Sequence, residues 1–164
     1  MTMSQTENHQ SVAQMRSDEF YMHRALEAAR EAMELDEVPV GAVVVNALGE
    51  VIGQGFNQPR SSLDPTAHAE VQALRMASLH VDNYRLSGCT LYVTLEPCMM
   101  CLGAMITARV DHLVYGAPEP RTGMIQSRAN LIDQPWFNHR LSHRGGVLAA
   151  ASRRLLKAFF DARR

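Results

Sequence analysis

His68-Ala69-Glu70 and Pro97-Cys98-Met99-Met100-Cys101 are the two stretches from which the rest of the chain can be read. The first offers an imidazole and a carboxylate. The second offers two thiols behind a proline. His68, Cys98 and Cys101 are three nitrogen and sulfur donors, of the kind zinc gathers into a tetrahedron. A structural zinc site fills all four positions with protein; a catalytic one keeps the fourth for water. The remaining cysteine, Cys89, opens the alternating run Cys89-Thr90-Leu91-Tyr92-Val93-Thr94-Leu95. It is expected in the core, on a strand. One neutral imidazole and two thiolates balance a divalent ion, and water at the fourth position falls to a pKa of roughly 7.

Local geometry supports the pairing. Pro97 suits the first position of a helix, where its missing N–H has no partner to lose. Cys98 and Cys101 then share one face of the first turn. The positive end of the helix dipole favours thiolates there. His68 and Glu70 would point about 200° apart in mid-helix. Asp64-Pro65 reads as an N-cap and first helical residue, which places both near a helix start. A carboxylate beside a metal ligand can carry a proton from water to a leaving group. Glu70 is therefore the candidate catalytic residue. Alone, C-x-x-C also fits a structural half-site or a redox pair, and H-x-E an ordinary helix surface. Together, behind prolines on successive helices, they point to a catalytic metal site.

The 164 residues make one domain with room for a core. Apolar residues are 46% and charged residues 20%, with a net charge of -1. Three cysteines, two of them candidate ligands, suit a reducing cytoplasm better than a disulfide framework. No stretch is long and apolar enough to span a membrane. Residues 1–16 are polar and are expected to form a disordered tail, with the single domain over 17–164. Ser17 is expected to cap a helix with Met22, Ala25, Leu26, Ala29 and Met33 on its buried stripe. Strands are expected at 40–45, 51–57, 90–95, 112–116 and 146–148, and helices at 65–79, 97–108 and 149–164. Leu155, Leu156, Phe159 and Phe160 make the apolar side of the last helix. Strands alternating with helices give an α/β fold with a mixed sheet covered on both faces. The stretch 117–138 holds three prolines and no sustained period, and a connection this long is usually functional or mobile.

Charge is unevenly placed. Residues 1–37 carry eight acids, whereas residues 138–164 carry seven bases against Asp161 alone. That basic end, which includes Arg163 and Arg164, is a local footprint for a polyanion or else a solvated helix face.

With both motifs in place, the chain resembles the bacterial tRNA-specific adenosine deaminases. H-x-E…P-C-x-x-C is the general signature of zinc nucleobase deaminases. The resemblance extends through Val38-Pro39-Val40-Gly41-Ala42-Val43, Asp64-Pro65-Thr66-Ala67, Asn83-Tyr84-Arg85-Leu86, Thr90 to Glu96, Gly103-Ala104-Met105, Asn138-His139-Arg140 and Phe159-Phe160. It implies a three-layer α/β/α sandwich of the cytidine-deaminase-like type with a five-stranded sheet. It implies one zinc ion per subunit of a homodimer, held by His68, Cys98 and Cys101, with Glu70 moving protons. The implied reaction converts adenosine to inosine at wobble position 34 of the tRNA-Arg anticodon stem-loop, with no role for DNA or membrane. Asn57, Ala69 and Val40 would then meet the flipped base, and Glu119, Arg163 and Arg164 the RNA. Many family members have aspartate where this chain has Glu119, and the Gln126-Ser127-Arg128-Ala129-Asn130 stretch also departs from the commoner pattern.

Two alternatives stay open on sequence. A deaminase of guanine, cytidine or a nucleotide keeps every metal residue and drops the RNA. A non-catalytic zinc module keeps the ligands but has no use for Glu70.

Overall fold

The computed structural model describes residues 3–164, with side chains from Asp18 onward. In chain order the elements are α1 (Met3–Glu34), β1 (Gly41–Val45), β2 (Val51–Phe56), α2 (Pro59–Ser62), α3 (Ala69–Val81), β3 (Thr90–Leu95), α4 (Met99–Thr107), β4 (His112–Ala117), β5 (Ser142–Arg144) and α5 (Ala149–Asp161). The strands form one sheet in the order β2-β1-β3-β4-β5. β1 is antiparallel to β2 and β3, while β4 is parallel to β3 and β5. The β1–β2 turn is built by Asn46, whose Oδ1 accepts the N–H groups of Leu48 and Glu50 at 3.0 Å each. Gly49 supplies the positive φ, +81°, that this turn needs.

Alternation along the central strands sorts side chains into two cores. Ala42, Val44, Leu91 and Val93 pack with Ala73 and Leu74 of α3 and Leu102 and Met105 of α4. Val43, Val45 and Tyr92 pack with Met22 and Ala25 of α1 and with Val147. Helices therefore cover both faces, giving the expected three-layer α/β/α sandwich. α3 lies unusually close to β2. A Cβ at Gly55 would sit 2.4 Å from the Ala69 carbonyl oxygen and 2.6 Å from the Ala73 nitrogen; one at Gly53 would sit 2.3 Å from the Ala73 oxygen. Glycines at alternate strand positions thus meet alanines on the facing side of the helix. That seam fixes where α3 begins, and with it His68.

Several boundaries differ from the sequence expectation. α1 begins at Met3, upstream of the cap expected at Ser17. Neither proline nor glycine interrupts 3–34, so the backbone continues past its buried stripe. The side chains of the tail expected over 1–16 lie outside the described residues. Asp64 does not cap α3. Its Oδ1 accepts the Thr66 N–H at 2.9 Å and the Thr66 hydroxyl at 2.7 Å. This Asx turn delays the helix to Ala69. Gly146–Leu148 is not a strand, because Gly146 and Leu148 take φ of +88° and +52°. β5 lies earlier, in three exposed polar residues that carry no apolar alternation. On α5, which ends at Asp161, Phe159 is buried but Phe160 is exposed. Ser152 takes the other buried position and donates its hydroxyl to the Thr94 carbonyl at 2.6 Å. Among the described residues no helix is long and apolar enough to cross a membrane.

Gly55→Ala forces a methyl group into the backbone of α3. It should lower the stability measured by urea unfolding by roughly 1–3 kcal/mol, the usual cost of overpacking. An unchanged midpoint would remove the close seam from this account.

Candidate active site

His68 and Cys98 occupy equivalent positions. Each is the N-cap of its helix, with extended backbone: φ -75°, ψ 153° for His68 and φ -79°, ψ 175° for Cys98. The expected helical placement of these residues is therefore corrected by one structural fact. The helices begin just after the ligands. This removes the difficulty of the His68/Glu70 spacing, since the histidine sits outside the helix and the carboxylate inside its first turn. Cys101 follows in the first turn of α4 and is fully buried.

The three donors converge. His68 Nδ1 lies 3.6 Å from Cys98 Sγ and 3.5 Å from Cys101 Sγ, and all three donor atoms fall within 4.8 Å of one another. Zinc bonds of about 2.3 Å to sulfur and about 2.0–2.1 Å to nitrogen set tetrahedral nitrogen and sulfur ligands about 3.6 Å apart. The donor set and its spacing fit zinc.

Local charge also calls for a cation. Glu70 is 4% exposed, and burial pushes its carboxyl above the ordinary range, reinforced by the Cys98 charge. The Cys98 thiol is lowered to about 4, chiefly by its hydrogen bond with Cys101, with His68 assisting against desolvation. The Cys101 thiol is raised, first by that same bond and then by burial and the nearby Glu70. The hydrogen bond to Cys98 raises the His68 pKa, against desolvation. Two thiols and a carboxyl thus compete for few protons at close quarters. A divalent ion relieves that competition and lets both thiols bind as thiolates.

Other sequence candidates gather unevenly around this centre. The Asn57 N–H donates to the Val40 carbonyl and the Gln58 N–H to the Ala67 carbonyl, each at 3.0 Å. Val40 and Ala69 share one buried cluster. Val40, Asn57 and Ala69 therefore border the start of α3. Glu119 donates its N–H to Glu96 at 3.1 Å and accepts the Arg121 N–H at 2.9 Å. Arg163 stacks on Phe159, 3.4 Å from the ring centroid, and pairs with Asp36. Asp36 also receives Arg60 of α2 at 3.5 Å, so the segment after α5 is linked through Asp36 to α2, just beyond Asn57. Arg164, just beyond α5, is 3.9 Å from Asp161 at the end of that helix.

Sequence reasoning missed two buried carboxylates, Glu37 and Glu96, each 2% exposed. Glu37 accepts the Ser61 N–H at 2.7 Å and so holds α2. Glu96 receives a cluster of N–H groups from the loop after β4. Burial pushes its carboxyl up, but the donors of Gln126, Ser127 and Glu119 prevail and hold it below the usual range. The available signal for Glu96 was a charged residue between an apolar strand and a proline.

The profile of the cytidine and deoxycytidylate deaminase zinc-binding region matches residues 15–117. The chain belongs to this deaminase family. It is a zinc-dependent hydrolytic deaminase. The tRNA-specific adenosine deaminase of Haemophilus influenzae is 48% identical over 147 residues, 90% of this chain and 85% of that protein. A structure solved in studies of A-to-I editing by tRNA:A34 deaminases superposes with a TM-score of 0.80 at 42% identity, covering 84% of this chain and 99% of that one. Guanine deaminase from Nitrosomonas europaea superposes at 0.72 with 26% identity, covering 86% and 83%. The shared fold of this deaminase and its relatives thus spans different substrates, and the site alone decides the chemistry.

Cys98→Ala and Cys101→Ala should each abolish tight zinc binding by this deaminase in elemental analysis. Cys89→Ala should keep one zinc per chain, because that thiol lies outside the donor cluster. Loss of zinc from Cys89→Ala alone would contradict the ligand set.

Proposed function

We propose that the protein converts adenosine to inosine at position 34 of the tRNA-Arg ACG anticodon, with release of ammonia. The observation that carries a deamination is Glu70, a buried carboxyl against three zinc-type donors. A structural zinc site needs no such neighbour. Likeness favours tRNA as substrate: 48% and 42% identity to tRNA deaminases against 26% to a guanine deaminase.

His68, Cys98 and Cys101 would hold the zinc ion, which when bound would supply the Lewis acidity that lowers the pKa of water to about 7. Glu70 takes the proton of the attacking water and delivers it to N1 of adenine. It next takes the proton of the new C6 hydroxyl and passes it to the amino group, so that ammonia leaves and a C6=O bond replaces the C6–N bond. A raised carboxyl pKa suits a group that must both accept and return a proton. The Asn57 amide hydrogen-bonds the flipped base, with Val40 and the Ala69 backbone lining its pocket. An unpaired anticodon loop lowers the cost of flipping. Glu119 and the arginines Arg163 and Arg164 contact the RNA.

The enzyme works as a homodimer in the cytoplasm. An apolar groove between α3 and α4, lined by Val71, Leu74, Leu79, Tyr84, Ala104 and Ala108, supports an interface there, and Leu79 is 83% exposed. Light scattering that reads a single 18.3 kDa chain would remove the dimer.

Unmodified tRNA-Arg incubated with the zinc protein should yield inosine at the wobble position by nuclease digestion and mass spectrometry. Free adenosine, guanine and cytidine should yield no product. Product from a free base or nucleoside alone would transfer the protein to nucleotide salvage. Glu70→Gln should keep its zinc and lose turnover by roughly 10²–10⁴-fold. Full turnover in that variant would overturn the proton-carrier role.

A further inference from the structure

We propose that Glu96 is a positioning residue: its carboxylate sets the 119–127 segment against the metal site and thereby places the substrate. The inference rests on the deaminase reading above. Glu96 follows β3 and stands two residues before Cys98. Its Oε1 accepts the Glu119 N–H at 3.1 Å and the Ser127 hydroxyl. Its Oε2 accepts the N–H groups of Ile125 at 3.1 Å, Gln126 at 2.9 Å and Ser127 at 3.0 Å. Both oxygens are occupied, so Glu96 has no lone pair free for the reaction. Its influence has to pass through the loop it holds.

The loop is tied to the same backbone from the other side. The Glu96 N–H donates to the Ala117 carbonyl at 2.9 Å, and the Met124 N–H donates to the Pro97 carbonyl at 3.0 Å. Gly123 passes so close that a Cβ there would lie 2.4 Å from Glu96 Cδ. Glu119, the candidate RNA contact on this segment, is held through its own N–H. A shift of the segment against Glu96 is therefore a shift of Glu119 against Cys98. The acceptor must be anionic, because four N–H groups and a hydroxyl leave no place for a donor. An amide in the same position would turn an NH₂ group into that cluster.

The test is steady-state kinetics on tRNA-Arg with zinc analysis and amide hydrogen exchange, for wild type, Glu96→Gln and Ser127→Ala. Glu96→Gln should keep one zinc per chain and lose exchange protection at 125–127. Its KM should rise roughly tenfold or more, as expected from losing hydrogen bonds to a charged acceptor, with kcat changed by less than about threefold. Ser127→Ala keeps the carboxylate and its N–H donors and should raise KM by only about two- to threefold. Lost protection with unchanged KM would overturn the proposal, as would a fall in kcat at unchanged KM. Should Glu96→Gln not fold, an unchanged KM in Ser127→Ala overturns it. A wild-type protein inactive on tRNA would remove only the substrate reading, and exchange at 125–127 would still decide the anchor.

Discussion

Two helices must begin at the same point in space. His68 ends the approach to α3 and Cys98 the approach to α4, and each stands in extended backbone immediately before its first helical turn. A tetrahedral ion tolerates little error in ligand position, so both helix starts have to be held closely. The fold meets that demand with rigid parts. The Gly53/Gly55 seam presses β2 onto α3, and β3 leads through Pro97 directly into α4. Both helices aim the positive ends of their dipoles at one place, where the Cys101 thiol and the Glu70 carboxyl are buried and the Cys98 thiol is half-buried. The cation site thus follows from the packing.

Buried carboxylates show how one chemical group takes different roles by environment. Glu70 stands among sulfur atoms and is pushed up by burial. Glu96 stands among backbone N–H groups and is held down. The first is suited to exchanging protons; the second stays ionised and holds a loop. Glu37 likewise holds a neighbouring segment, accepting the Ser61 N–H of α2. Opposed environments of this kind separate the proton carrier from the anchors.

The zinc-type ligands, the stripe of α1 and the central strands were legible because each leaves a periodic or spaced mark in the sequence. Helix starts were not. Asp64 looks like a cap but spends its oxygen on Thr66, and nothing in Asp64-Pro65 distinguishes the two uses. β5 was hidden because Ser142-His143-Arg144 lies exposed at the sheet edge and needs no apolar alternation. The anchoring role of Glu96 was invisible for a different reason. Its partners come from 119–127, far along the chain, and only the fold brings them to it. The same non-local character hid the link from Arg163 through Asp36 to Arg60.

The chemistry requires a zinc site with three protein ligands and one position open to solvent. Zinc X-ray absorption on the purified protein tests it most directly. Two sulfur ligands at about 2.3 Å and two lighter ligands, one from His68 and one from solvent, at about 2.0–2.1 Å are expected. A shell of three or four sulfurs, or one with no ligand that exchanges with added anions, would mean a closed structural site and would contradict it.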